Sequence, residues 1–188
     1  YATNHTQMEY DLAGRKLVMD DPDMGTWTYA YDPAGNLTQQ TDARGYQNNS
    51  SYDALNRVTE MTYSGPGACG SQEPAWYAYD GPSYLFPNAV GRRVRAQSSA
   101  EVTVWFYDPR GRVAEERVLR NPDEDWVHTS WTYDNADRVR RLTYPTGETV
   151  EYQYNAQGLP DALHQAASSG AFTYVADTSY NALGLSEI

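Results

Sequence analysis

Large aromatic residues occupy every second position in short runs along this chain: Trp27, Tyr29 and Tyr31, then Tyr77 and Tyr79, Trp105 and Tyr107, Trp131 and Tyr133, Tyr152 and Tyr154. The residues between them are mostly small or polar. A period of two sets each run on one face of a pleated strand, so the pattern predicts strands with a ring-rich face and a mostly polar one. Return strands are predicted where Leu37, Val58, Val94, Val113, Val139 and Leu142 stand among Thr, Arg and Gln. Helix finds almost no support. Its best stretch, 162–167, is short and bracketed by Gly158, Pro160 and Gly170.

The strands belong to a repeat. A Tyr-Asp or Tyr-Asn pair followed by a turn and an aliphatic residue recurs eight times, beginning at Tyr10, Tyr31, Tyr52, Tyr79, Tyr107, Tyr133, Tyr154 and Tyr180. The second members are Asp11, Asp32, Asp53, Asp80, Asp108, Asp134, Asn155 and Asn181. Successive tyrosines are 21, 21, 27, 28, 26, 21 and 26 residues apart, a base unit of 21 with insertions of 5 to 7. Each unit is expected to be an antiparallel β-hairpin. In the stretch from Asp32 to Gly35, Pro33 presets φ, Asp32 can bond its own backbone two residues on, and Gly35 accepts positive φ, as in a type I turn closed by a bulge. Gly14, Gly111, Gly158 and Gly184 serve the same turn elsewhere, and Asn56 and Asp137 replace glycine with residue types that tolerate the left-handed region. The remaining insertions, 64–74, 81–88, 121–125 and 165–171, read as loops.

Composition changes the picture in two ways. The 17 Tyr and 5 Trp against 3 Phe mean that most large side chains have a polar tip needing water or a partner. The formal charge of −11 argues against nucleic acid and anionic membrane surfaces as partners, and no apolar run is long enough for a membrane helix. The positive charges are one lysine, Lys16, and 13 arginines, planar forks suited to fixed pairs and to stacking on rings. Cys69 is alone, so no internal disulfide forms, and it reads as a loop thiol.

Candidate chemistry is sparse, and the expectation is a non-enzymatic chain without cofactor or metal. His5, His128 and His164 are scattered, and the sequence has no hydrolase elbow, phosphate-binding glycine loop or zinc spacing. The clusters Asp20, Asp21, Asp23 and Asp123, Glu124, Asp125 lack the spacing of a calcium loop and read as solvated loops. The recurring aspartates are expected to cap their own turns and to pair with Arg15, Arg57, Arg112 and Arg138 of the same or next hairpin. Rings beside carboxylates could also stack on sugars, with Trp27, Tyr29, Trp105 and Trp131 the candidate binding residues, although repetition in every hairpin favours cross-strand packing. Sheet edges offer a further route to self-association.

The segments YDPAGNLTQQTDARG, YDPRGRV and TYPTGETVEYQYNAQGLP resemble the YD repeats of the RHS family, and the resemblance runs from Tyr10 to Leu185. That family includes bacterial Rhs polymorphic toxins, the cocoon-forming subunits of insecticidal toxin complexes and animal teneurins. The resemblance implies an all-β fold of consecutive hairpins in a spiralling sheet, a partial shell wall that encloses or scaffolds an effector. It implies that residues 1–188 are one repeat segment of a larger parent, with the other repeats and the effector domain as partners, secreted or at the cell surface. The family's C-terminal self-cleavage signature is not found, so that activity does not carry over.

Overall fold

The structure, a computed structural model, describes residues 5–67, 72–121, 123–166, 172–181 and 186. Cys69 and Gly184 lie outside the described residues. No helix occurs among those described, and the 162–167 stretch falls largely in a strand. Among the described residues there are fifteen strands, and their order in the sheet is the order of the chain. Two compact units divide it, Tyr1–Tyr79 with Arg95–Val102, and Asp80–Val94 with Thr103–Ile188.

The first unit contains β1 (Gln7–Tyr10), β2 (Lys16–Asp21), β3 (Gly25–Tyr31), β4 (Leu37–Thr41), β5 (Gln47–Tyr52), β6 (Val58–Ser64) and β7 (Gln72–Tyr79). Next in the chain come β8 (Arg93–Gln97) and β9 (Val102–Tyr107). The second unit continues through β10 (Val113–Leu119), β11 (Val127–Tyr133), β12 (Val139–Thr143), β13 (Thr149–Tyr154), β14 (Pro160–Gln165) and β15 (Thr173–Val175). Within each unit, strands contact their neighbours in sequence.

The alternation read from sequence sets the faces. On β3, Trp27, Tyr29 and Tyr31 are half-buried while Thr26, Thr28 and Ala30 are exposed. On β7, Tyr77 and Tyr79 are half-buried while Trp76 and Ala78 face solvent. Met19 sits opposite Trp27 and is one of few buried apolar residues, with Ala89, Val94, Val150 and Ala162. No large side chain is fully buried among the described residues. Burial is therefore shared among many half-covered rings instead of being concentrated in a sealed core.

Six of the tyrosine pairs close a turn with the same two backbone bonds. The Asp11 N–H donates to the Arg15 carbonyl at 2.9 Å and the Gly14 N–H to the Asp11 carbonyl at 3.0 Å, and the same two bonds recur at Asp32, Asp53, Asp108, Asp134 and Asn155. The register shifts by one residue at Tyr10, Tyr31, Tyr52, Tyr133 and Tyr154, the bulge that such a turn demands. Asn56 and Asp137, with φ of 61° and 63°, hold the glycine position where glycine is missing. The fourth repeat carries its insertion inside the turn: the Asp80 N–H reaches the Arg92 carbonyl at 3.0 Å across residues 81–91. Phe86 of that insertion folds back and stacks on Phe106, centroids 5.3 Å apart. A second turn with the same two backbone bonds, which the repeat pattern did not single out, joins one hairpin to the next at Asp42–Tyr46 and at Tyr144–Glu148.

Gly111 tests the turn assignment. Its φ is 80°, and the space where a Cβ would stand is filled by the Arg92 guanidinium. Gly111→Val forces a β-branched side chain into the left-handed region and is expected to cost about 1–3 kcal/mol, read as a lower Tm. An unchanged Tm would show that this position does not hold the turn.

Candidate functional site

The chemistry-bearing groups are gathered in the YD turns, which link each repeat to its neighbour. The aspartate acts first, on its own hairpin. Asp11 Oδ1 accepts the backbone N–H groups of Ala13 and Arg15, both at 2.9 Å, while Oδ2 accepts Arg15 Nε at 2.6 Å. Asp53, Asp108 and Asp134 make the same three bonds with Leu55 and Arg57, Arg110 and Arg112, Ala136 and Arg138. In the second repeat Asn36 replaces the arginine and its amide donates to Asp32 Oδ2. Asn155 keeps the backbone bonds to Gln157 and Leu159. At Asp80 the carboxylate instead accepts the Gly91 N–H at the far end of the insertion.

The arginine acts second, and its target is the following repeat. Its planar fork, fixed by the aspartate, lies over the next tyrosine ring: Arg15 over Tyr31 at 5.0 Å, Arg57 over Tyr79 at 4.4 Å, Arg112 over Tyr133 at 4.4 Å and Arg138 over Tyr154 at 4.3 Å. Arg92 takes the same place over Tyr107 at 5.7 Å, held by the carbonyls of Asn88 and Val90 and by that of Gly111. A guanidinium on a ring contributes roughly 0.5–2 kcal/mol according to its desolvation. Arg112 also pairs with Asp137 of the next turn at 2.5 Å.

The tyrosine hydroxyl closes the connection in the reverse direction. Tyr31, Tyr52, Tyr79, Tyr107, Tyr133 and Tyr154 donate to the carbonyls of Lys16, Leu37, Val58, Arg93, Val113 and Val139 at 2.6 to 3.0 Å. Tyr180 donates likewise to the Pro160 carbonyl. Each acceptor is the first residue after the preceding turn, so one hydroxyl ties the end of each repeat to the start of the return strand before it. Sequence reading found the tyrosines, aspartates and arginines but not which ring each arginine covers or which carbonyl each hydroxyl meets. The constant spacing of six residues from each pair's tyrosine to that carbonyl, broken only by the insertion in the fourth repeat, was the available signal.

The four candidate sugar-binding rings are placed in their own repeats. Trp27 donates its indole N–H to the Met24 carbonyl at 3.2 Å, and Lys16 Nζ lies 4.3 Å from the Tyr29 centroid. Trp105 donates to Glu116 Oε2 at 2.8 Å beneath the Arg93 guanidinium at 4.9 Å, and Trp131 is half-buried opposite Leu142. His128 Nδ1 meets Glu115, which also pairs with Arg117, and His164 meets Thr173. Asp21 caps its turn through the N–H groups of Asp23 and Met24, while Asp20 accepts the Thr26 hydroxyl. Among the described residues no group of three or more His, Cys, Asp or Glu is arranged to hold a metal ion.

Hydrogen bonding shifts the turn carboxylates. The Arg15 N–H holds Asp11 below the usual 3.8, the Arg57 N–H does so at Asp53, and the Arg138 side chain does so at Asp134. Burial pushes the Tyr133 and Tyr154 hydroxyls up.

Turns tied only to their neighbours in the chain define a β-hairpin repeat protein. The RHS Repeat family model matches residues 10–47. The chain is 31% identical over 169 residues to the probable deoxyribonuclease RhsA of Dickeya dadantii (strain 3937), covering 81% of this chain and 11% of that protein. It is 32% identical over 142 residues to the probable deoxyribonuclease RhsB of the same strain, covering 71% of this chain and 9% of that protein. The chain therefore spans about a tenth of the length of these curated relatives. Among solved structures it resembles TcdB2-TccC3-Cdc42 with a TM-score of 0.82 at 17% identity, over 96% of this chain and 10% of that one. TcdB2-TccC3 without its hypervariable C-terminal region matches with a TM-score of 0.82 at 18% identity, over the same shares. These structures share the fold. The chain belongs to the RHS/YD-repeat family, and it is an RHS repeat module.

Two measurements check the relay. Tyr133→Phe leaves the Val113 carbonyl without its donor and is expected to cost about 1 kcal/mol in urea unfolding. Tyr10→Phe, whose 56% exposed tyrosine meets only the Met8 sulfur, is expected to leave the midpoint unchanged. The depressed carboxylates add stability that is fully present above 3.8, their value in the unfolded chain, and lost as pH falls below it. Thermal melts should be flat near neutrality and drop steeply below about pH 4, and Asp134→Asn should make that acid limb shallower.

Proposed function

We propose that this module is a non-catalytic wall segment that encloses or scaffolds an effector carried elsewhere in its parent chain. The observation that carries the reading is the relay itself. Hydroxyl, guanidinium and carboxylate of successive repeats are bound to one another and to backbone, as a load-sharing wall requires and as a reaction centre, which needs groups free to meet substrate, does not. The relatives named as deoxyribonucleases are roughly nine to eleven times longer than the stretch they share with this chain, which leaves ample length for a nuclease-type effector outside the repeats. Residues 1–188 then act as one repeat segment, and further strands of the parent add beyond β1 and β15, where the strand order ends. The setting that fits is a bacterial protein secreted or held at the cell surface. The contacts of Trp27, Tyr29, Trp105 and Trp131 support packing over glycan binding as the use of these rings.

The test is protease protection in the intact parent protein. An effector region resistant to limited digestion, and made sensitive by the pair Arg112→Ala and Arg138→Ala, supports the wall. Equal digestion in both proteins counts against it, and saturable binding of the repeat chain to a glycan that quenches its Trp fluorescence would promote the sugar-binding reading instead.

A further inference from the structure

Two turns of the same build treat a ring and a carboxylate differently. In Asp42–Tyr46 the Asp42 N–H donates to the Tyr46 carbonyl and the Gly45 N–H to the Asp42 carbonyl, both at 2.9 Å. This turn supplies its own cation: the Arg44 guanidinium pairs with Asp42 Oδ2 at 2.7 Å and lies 5.1 Å from the centroid of the Tyr46 ring. In Tyr144–Glu148 the two backbone bonds are repeated at 2.7 and 2.9 Å, but ring and acid exchange ends, and Thr146 stands where Arg44 stands. No basic side chain among the described residues pairs with Glu148 or lies over the Tyr144 ring.

The neighbouring strands complete a site around this pair. Val150 on β13, only 4% exposed, and Leu163 on β14 form an apolar floor. Tyr174 on β15 comes alongside and donates its hydroxyl to Glu148 Oε1. Together the five residues line an open depression of about 230 Å³, with Tyr144 and Tyr174 remaining 40% and 42% exposed.

The lining selects its ligand by chemistry. An anion is repelled by Glu148, and a neutral apolar group fills the floor but leaves the carboxylate without a cation. A small metal ion or primary ammonium holds its hydration water strongly and gains little from the aliphatic floor of Val150 and Leu163. A methylated ammonium spreads its charge over an apolar surface, which suits aromatic faces, aliphatic floor and carboxylate at once. We propose that this depression binds a quaternary or trimethylated ammonium group. Such a group is presented by a free small molecule such as choline or by a trimethylated lysine side chain.

The test follows the methyl resonances of Val150 and Leu163 in the whole chain during titration with four probes. These are tetramethylammonium, choline, Nα-acetyl-trimethyllysine amide and the uncharged shape mimic 3,3-dimethyl-1-butanol. The three cations are expected to give saturable shifts, with the uncharged mimic weaker by about tenfold or more. Glu148→Gln is expected to weaken cation binding by a similar factor while the buried Val94 methyls stay in place, which reports an intact fold. Tighter binding of choline assigns the group to a free molecule, and tighter binding of the lysine derivative assigns it to a protein side chain; either supports the site. Absence of saturable shifts, equal binding of the uncharged mimic, or indifference to Glu148→Gln overturns it.

Discussion

The whole arrangement rests on one hydrogen bond repeated along the chain, from the tyrosine hydroxyl of each repeat to the first return-strand carbonyl of the repeat before it. A sheet whose rings are only half covered gains less from burial than a two-layer fold, and a phenol that loses water without a partner would cancel much of that gain. Pointing the hydroxyl at a backbone carbonyl resolves both demands. The carbonyl is always present at that register, whatever side chain occupies the position, so Lys16, Leu37, Val58, Arg93, Val113, Val139 and Pro160 all serve. The arginine above the ring then needs an aspartate to hold its fork, and the aspartate needs a turn that presents two N–H groups. Turn, charge pair and ring thus depend on one another.

This dependence explains why insertions are tolerated in some places and shaped in others. Spacings of 26 to 28 in place of 21 add residues outside the relay or, in the fourth repeat, inside its turn. There the loop is bridged by Asp80 and Arg92, and Phe86 covers Phe106, so that Arg92 still arrives over Tyr107. Loop entropy rises slowly with length, and the fixed cost of the added residues is offset where the loop packs. The second repeat shows the limit of substitution: Asn36 satisfies Asp32 but brings no guanidinium, so the carboxylate is kept and the cover on the next ring is not.

The repeated relay uses the polar and charged groups of the turns in holding the sheet together. The depression at Tyr144, Glu148 and Tyr174 departs from that rule, because its ring and carboxylate have the same type of turn as Asp42–Tyr46 but no internal arginine. Ring and acid exchange ends between the two turns, and threonine at 146 stands where arginine stands at 44, so the second turn supplies no cation of its own.

By itself the sequence determined the hairpins, the ring-bearing face, the turn type and the residues that cap it. Each of these is set by local chemistry: alternation with a period of two, proline and glycine at fixed turn positions, aspartate within reach of its own backbone. It also carried the repeat, and with it the family. Only the tertiary structure decided where each hydroxyl and guanidinium goes, because those targets lie 14 to 22 residues away and depend on the stagger between strands. The turn at Tyr144–Glu148 became a site for the same reason. Its floor and its second ring, Val150, Leu163 and Tyr174, come from three strands that the chain brings together only when paired in register.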